Sequence, residues 1–475
     1  MLKRLTAVLL VLVLVLSCAG IGEAASAKRL KKGSRGEAVK KLQTALQEQG
    51  YYNGKIDGVY GNGTVKAVKA FQKANGLKVD GIAGPQTQEK LYGASSGVLA
   101  ATDTKDQGIG EAAFYDATDP TTYDVDVPQD AVTYLQNIAN SSGAVCGTVV
   151  LSKNGKIFLT WSFGGADENT CFRIASITKW VTAIGLMTLY DDGKLDLDKD
   201  ISTYLGFKVR NPAYPDKPIT ARMLLSHTSS LSPDASNYHP DWERISKKYD
   251  PIFNESIEPG TAYAYADYNG ALFGCLIEAI SGQSVQNYLS SRVFTPLGLI
   301  AAYSPKFLPS GTVCKDLLKT DGSVEISVSK DRSRTYNNSP DPKGNNGYTV
   351  GKLYINAASL TKLAQMMYYG GELNGVRILK AETVKLMEAD QPGLAESRYG
   401  LSTVRLNQFD RGTWYGHQGR YSGLTSNIYY QRETGITMAL ILDGYDYQLS
   451  DNIVMPAVQI LTNMEKLETL CLGQQ

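Results

Sequence analysis

Phe172-Arg173-Ile174-Ala175-Ser176-Ile177-Thr178-Lys179-Trp180-Val181-Thr182-Ala183-Ile184-Gly185-Leu186-Met187-Thr188-Leu189-Tyr190 is the stretch on which the fold and the chemistry of this chain turn. From Trp180 to Tyr190 it is apolar almost all round, which predicts a helix buried on every side rather than an amphipathic surface helix. Ser176 and Lys179 open that helix at an i, i+3 spacing, so a hydroxyl and an amine share one helical face. The N-terminal end of a helix offers free backbone N–H groups and the positive end of a dipole to developing negative charge. Serine needs help to become a nucleophile, and an adjacent buried amine can supply it. The plain structural reading of the same tetrapeptide is a helix-capping serine followed by an exposed lysine.

Working outward, Thr148–Leu151 and Ile157–Leu159 flank Asn154-Gly155, a strong hairpin signal. Near the other end, Ser426–Tyr430 and Ile436–Leu442 flank Glu433-Thr434-Gly435, a second hairpin. Helical segments lie between the two. Strands at both ends with helices between predict an α+β domain over residues 126–470, with one antiparallel sheet assembled from the domain's termini and flanked by helices.

Further motifs follow Ser176 in a fixed order. Asp192-Gly193-Lys194-Leu195-Asp196-Leu197-Asp198 follows the helix, then Leu224-Leu225-Ser226-His227-Thr228-Ser229-Ser230-Leu231, then Pro259-Gly260 leading to Tyr265-Ala266-Asp267, and finally Gly416-His417-Gln418-Gly419. Together with Phe172–Ala175 these stretches resemble the class C β-lactamases, D-Ala-D-Ala carboxypeptidases and related esterases, and the resemblance spans the whole large domain. It implies an acylated nucleophile at Ser176, a charged neighbour at Lys179, and a tyrosine at Tyr265 that takes the serine proton and returns it to the leaving group. It also implies an oxyanion hole from the backbone N–H groups of Ser176 and Arg420, and a substrate-facing role for His417, Gln418 and Gly419. Whether lysine or tyrosine is the base stays open at this point. A Ser-His-Asp triad would instead need His417 or His227 beside Ser176. His227 itself reads as structural, and His239, in a polar loop, has no assigned role.

Two positions depart from the β-lactamase pattern. The second motif usually ends in asparagine, whose amide donates to the substrate; here it ends in Asp267, which can bind Lys179 but cannot donate when ionised. The third motif has His417-Gln418 where β-lactamases often have lysine and threonine, and a neutral histidine holds an anion less well than lysine. Both changes argue against efficient β-lactam hydrolysis and leave acyl-D-alanine chemistry in place. The expectation is a D-alanyl-D-alanine carboxypeptidase-like enzyme acting on a small peptide or ester. The alternatives are an esterase on acylated wall polymers, a β-lactamase, or a non-catalytic wall sensor on a decayed hydrolase fold.

Residues 29–93 form a unit of their own. Val39, Leu42 and Leu46 recur at helical spacing, as do Val68 and Phe71, and a third short helix is predicted to begin at Pro85. Ile56-Asp57-Gly58-Val59-Tyr60-Gly61 and Val79-Asp80-Gly81-Ile82-Ala83-Gly84 are turn-rich joints, so that the two halves echo each other weakly. With Tyr51-Tyr52-Asn53-Gly54 and Phe71-Gln72, the segment resembles the three-helix peptidoglycan-binding domain, which implies peptidoglycan as a partner; a structural spacer is the bland alternative. Residues 94–125 carry Ser, Thr, Gly, Asp and Ala without periodicity, as a flexible linker does. Gly93-Ala94-Ser95-Ser96-Gly97 fits G-x-S-x-G but lacks its strand-turn-helix context.

The chain opens with Lys3, Arg4 and an unbroken apolar run from Ala7 to Leu16, a signal peptide over residues 1–27 with Ala25-Ser26-Ala27 as its cleavage site. Val15-Leu16-Ser17-Cys18 fits the lipoprotein pattern less well, so membrane attachment is expected only if Cys18 is lipidated. The expected location is therefore secreted and cell-wall-associated. Of 475 residues, Lys plus Arg (48) almost balance Asp plus Glu (47), so no basic excess argues for a nucleic-acid partner. The six cysteines show no metal-type spacing, and no motif calls for a metal or cofactor. Cys146 and Cys171 could pair, and Cys275 reads as a buried small hydrophobe.

Overall fold

The computed structural model describes residues 30–48, 51–52, 54–75, 77–84, 87–88, 90–91, 127–233, 252–336, 338–342, 347–391, 398–409, 411–446, 449–450 and 453–473. The leader, Cys18, the Gly93–Gly97 stretch, the linker at 94–125, Pro85 and His239 lie outside the described residues. The chain divides into two compact units, one within residues 1–106 and one within 107–475.

In the small unit, α1 (Glu37–Glu48) and α2 (Asn62–Ala74) pack Val39, Leu42, Leu46, Val68 and Phe71 around Tyr60, and Thr87, Gln88, Lys90 and Leu91 are again helical. The faint repeat in the sequence is a full repeat of polar contacts. Buried Gln43 donates to Asp57 Oδ1 (2.9 Å), Val59 O (3.1 Å) and Thr64 Oγ1 (3.1 Å), while its Oε1 accepts from Gly58 N (2.9 Å). Buried Gln72 does the same with Asp80 Oδ1 (3.0 Å), Ile82 O (3.0 Å), Thr87 Oγ1 (3.1 Å) and Gly81 N (2.9 Å). Each glutamine thus ties one Asp-Gly joint to the helix that follows it, where the apolar core alone is small.

The large unit begins with α3 (Gln129–Ser142), then the hairpin β1 (Cys146–Lys153) and β2 (Lys156–Phe163). Asn154 and Gly155 both have positive φ, the conformation a two-residue hairpin turn selects. The short strand β3 (Phe172–Arg173) leads into α4 (Ile177–Asp191), and α5 (Ala221–Leu225) precedes α6 (Asp267–Ser281). After β4 (Ala301–Ala302) comes an excursion that includes α7 (Val328–Ser333) and ends at α8 (Tyr348–Gly351). Then follow β5 (Tyr354–Ile355), α9 (Ala357–Tyr368), β6 (Val404–Leu406), β7 (Trp414–Tyr421), β8 (Leu424–Gln431), β9 (Ile436–Asp443), α10 (Met455–Thr462) and α11 (Met464–Leu472).

The main sheet is antiparallel in the order β6-β7-β8-β9-β1-β2, so strands from the domain's two ends meet inside it at β9 and β1, with Val149 opposite Leu440. Side chains alternate across it. Val150, Ile428, Ala439 and Ile441 join the core around α4 and α6, whereas Val149, Leu151, Met438, Leu440 and Leu442 join a second core with α3, α10 and α11. A sheet covered on both faces explains why Ile436–Leu442 reads as a continuous apolar run. Helix α4 lies inside the first core with every residue from Ile177 to Leu189 buried. Each large apolar side chain it removes from water contributes about 1.5–3 kcal/mol, and this rigid rod is what carries Ser176 and Lys179.

Candidate active site

Ser176 sits at the start of α4 after a strained link. Ala175 has φ 47°, the left-handed region that a residue with a Cβ enters at a cost of about 1–2 kcal/mol. Bonds on both sides hold it there: Ile174 N donates to Leu353 O (3.0 Å), Ser426 Oγ donates to Ile174 O (2.7 Å), and Thr178 N donates to Ala175 O (2.9 Å). The hydroxyl of Ser176 makes no capping bond to the helix it precedes, which removes the simple capping explanation.

Lys179 is not the exposed lysine of that explanation either. Its side chain is 0% exposed, and Nζ lies 2.9 Å from Ser176 Oγ, 2.8 Å from Val350 O and 2.7 Å from Asp267 Oδ1. Burial works to lower its pKa, but the nearby Tyr265 hydroxyl and Asp267 carboxylate more than offset that and raise it, so the group stays an ammonium. Room for its stem exists because α6 carries Gly270 at the crossing; a Cβ there would lie 2.7 Å from Lys179 Cγ.

Tyr265 precedes α6, with the Lys179 ammonium 5.4 Å from its ring centroid. The ring stacks on His227, centroids 4.2 Å apart and planes at 23°. His227 is therefore closer to the chemistry than its sequence context indicated. It is held at φ 54°, and Nδ1 accepts from Ala266 N (3.1 Å) and faces Asn269 Nδ2 (2.9 Å), while buried Nε2 meets no hydrogen-bond partner among the described residues. Burial, with Lys179 next, drives its pKa well down and keeps the ring neutral.

His417, Gln418, Gly419 and Arg420 lie within β7 rather than at its opening. Gly419 faces the nucleophile: a Cβ on it would stand 3.0 Å from Ser176 N. Strand alternation puts His417 on that same face and Gln418 and Arg420 on the other, beside Asn427 and Thr425 of β8. Gln418 thus sits one pleat removed from His417, and the Arg420 backbone N–H lies on the strand that passes Ser176. His417 Nδ1 donates to Gln418 O (2.6 Å) and Nε2 accepts from Tyr399 Oη (2.8 Å), so both nitrogens are engaged away from Ser176. Burial foremost, then Lys179, lowers its pKa to about 3. With His227 also committed to α6, the geometry is not that of a Ser-His-Asp triad.

Tyr399 is the residue that sequence reasoning missed. It is buried, bonds His417, and lies edge-on to His227 (5.1 Å) and Tyr265 (6.4 Å), linking the second and third motifs. An isolated tyrosine outside any motif carried no signal for this. Cys146 of β1 lies opposite Asp443 of β9, whereas Cys171 is paired along the backbone with Cys314, so the neighbour of Cys171 is Cys314 and both are free thiols.

Comparison with known proteins accords with this architecture. The beta-lactamase family matches residues 132–451, and the family described as "Putative peptidoglycan binding domain" matches residues 35–91. The chain is 27% identical over 289 residues to penicillin-binding protein 4 of Amycolatopsis lactamdurans, covering 58% of this chain and 73% of that one. It spans about a third of the length of several further curated relatives. The chain is also 49% identical over 67 residues to the spore cortex-lytic enzyme of Oceanobacillus iheyensis, 14% of this chain and 24% of the relative. The octameric penicillin-binding protein homologue from Pyrococcus abyssi shares the fold, with a TM-score of 0.56 at 20% identity over 73% of this chain and 77% of that chain. The chain therefore belongs to the beta-lactamase family, as a penicillin-binding-protein-like hydrolase fold that also carries a peptidoglycan-binding domain.

Proposed function

We propose that this protein is an exported, cell-wall-associated serine hydrolase that works through an acyl-serine intermediate, with D-alanyl-D-alanine stem peptides of peptidoglycan as its substrate class. The observation that carries the reading is the buried Lys179 ammonium touching Ser176 Oγ, Asp267 Oδ1 and Val350 O at 2.7–2.9 Å. Ser176 Oγ, Val350 O, Asp267 Oδ1 and the nearby Tyr265 hydroxyl surround it and hold it as an ammonium, which has no lone pair, so Lys179 serves as a fixed charge rather than a base. Ser176 Oγ accepts from it, which leaves the serine's own proton free to pass to Tyr265 as the base.

In the proposed cycle Ser176 Oγ attacks the scissile carbonyl while its proton moves to Tyr265. The oxyanion is met by the backbone N–H groups of Ser176 and Arg420, and Gly419 supports this by letting β7 close on the nucleophile. Tyr265 then gives its proton to the departing amine as the C–N bond breaks. Water attacks the acyl-serine, loses its proton to Tyr265, and Ser176 leaves with that proton restored. A neutral His417 favours a second reading, hydrolysis of esters whose leaving group carries no anion, because it offers no positive charge to a substrate carboxylate. The peptidoglycan-binding domain supports the wall as the setting, where tethering raises the effective concentration of stem peptides.

The deciding experiment incubates purified protein with a stem pentapeptide, an O-acylated wall polymer and a cephalosporin in parallel. D-alanine released from the pentapeptide, and abolished in Ser176→Ala, is the expected result. Turnover of the polymer ester alone establishes the second reading. A protein that neither turns over any of the three nor is acylated by a fluorescent penicillin is a wall-binding sensor instead.

A further inference from the structure

We propose that Cys171 and Cys314 form a disulfide that clips the excursion between β4 and α8 to the strand leading into the nucleophile. Cys171 and Cys314 are partners in an isolated parallel bridge. Cys171 N donates to Val313 O (2.9 Å) and Lys315 N donates to Cys171 O (3.0 Å), so the two backbone bonds bracket Cys314. Residues paired in this way point their side chains to the same side, and adjacent strands lie about 4.8 Å apart, inside the Cα window of about 4.4–6.8 Å that a disulfide spans. Both thiols enter one small apolar cluster with Ala302, Leu308 and Tyr354. Cys146, Cys275 and Cys471 stand on β1, α6 and α11, away from this bridge.

The chemistry is a dithiol–disulfide exchange with an external low-molecular-weight disulfide as oxidant. Cys314, the half-buried member, attacks first; the Cys171 S–H foremost, and then Arg332, favour its thiolate. Its sulfur bonds one sulfur of the oxidant and the oxidant's S–S bond breaks, releasing one thiolate. Cys171 then attacks Cys314 Sγ, the mixed disulfide breaks, and the second thiolate leaves. Two electrons pass from the protein thiols to the oxidant, and their two protons end on the two released thiols.

The clip has a structural consequence. Cys171 immediately precedes β3, whose Arg173 pairs with Asp331 of the excursion (3.7 Å), and Asp331 also accepts from Tyr354 Oη (2.7 Å). The far end of the same excursion supplies Val350 O to Lys179. The disulfide would thus fix the start of a segment already tied at its middle and its end.

The test equilibrates the full-length protein with oxidised glutathione, alkylates it in denaturant, and maps its peptides without reduction. The expected result is a peptide pair joining Cys171 to Cys314, lost on reduction, together with a rise in Tm of several degrees that Cys314→Ser does not show. Recovery of both cysteines alkylated overturns the proposal, as does glutathione retained on Cys314, or Cys171 linked to a different cysteine. The wild-type map decides the matter even if the variant fails to fold.

Discussion

At the scale of single residues, fixed charges set the character of the candidate site. Asp267 faces Lys179 at 2.7 Å with its side chain 44% exposed, so it supplies charge where an amide would supply a donor. Asp267→Asn is expected to raise the rate of acylation by a cephalosporin about tenfold, the worth of one hydrogen bond of ~1.4 kcal/mol; stopped-flow labelling measures it. Tyr399→Phe removes the partner of His417 Nε2 and should lower kcat/KM about tenfold while costing ~1 kcal/mol of stability, seen by comparing turnover with a urea midpoint. The two histidines set an acid limit. Both are neutral in the folded protein, His417 with a pKa lowered to about 3, whereas an unfolded histidine titrates near 6.5. Between those values the unfolded chain binds the extra proton, so stability is complete above about pH 6.5 and falls as the pH drops toward 3, by up to ~1.4 kcal/mol per pH unit for the His417 ring, and the His227 ring acts in the same direction. A pH series of urea melts should show that slope, and His417→Gln should reduce it.

At the scale of elements, the crossing of α4 and α6 decides whether Lys179 can be buried at all. Helix propensity alone says Gly270→Ala would gain about 1 kcal/mol. The 2.7 Å approach to the Lys179 stem says the opposite, and overpacking of about 1–3 kcal/mol wins. The variant is expected to unfold at lower urea and to lose acylation, and a gain in stability would show that the crossing has slack. In the small unit, Gln43→Ala leaves the Gly58 N–H and the Asp57 carboxylate without their buried partner. Loss of about 2–3 kcal/mol follows, measurable in the isolated fragment against its wild-type counterpart or in the full chain as an early unfolding step.

At the scale of the whole molecule, binding and chemistry sit in separate compact units. Removing residues 1–93 should abolish co-sedimentation with purified sacculi and slow release from insoluble wall, while kcat/KM on a soluble peptide stays unchanged. A matching loss on the soluble peptide would mean that the units cooperate in catalysis.

Local chemistry made much of this legible in the sequence. A hairpin turn, a helix apolar on all sides, a serine and lysine one turn apart, and two Asp-Gly joints are short-range patterns, and each is written in residues that touch along the chain. The α+β fold with strands at both ends followed from them, because continuous apolar strands and a wholly apolar helix have few ways to be covered. What only the tertiary structure decided involves residues brought together from distant positions. Burial of Lys179 depends on Gly270 and Val350, the neutrality of His417 depends on its burial and on Lys179, Tyr399 reaches His417 from outside every motif, and Cys171 has Cys314 rather than Cys146 beside it. Charge state and orientation are set by the surroundings of a group in space, and a linear pattern records only its neighbours along the chain.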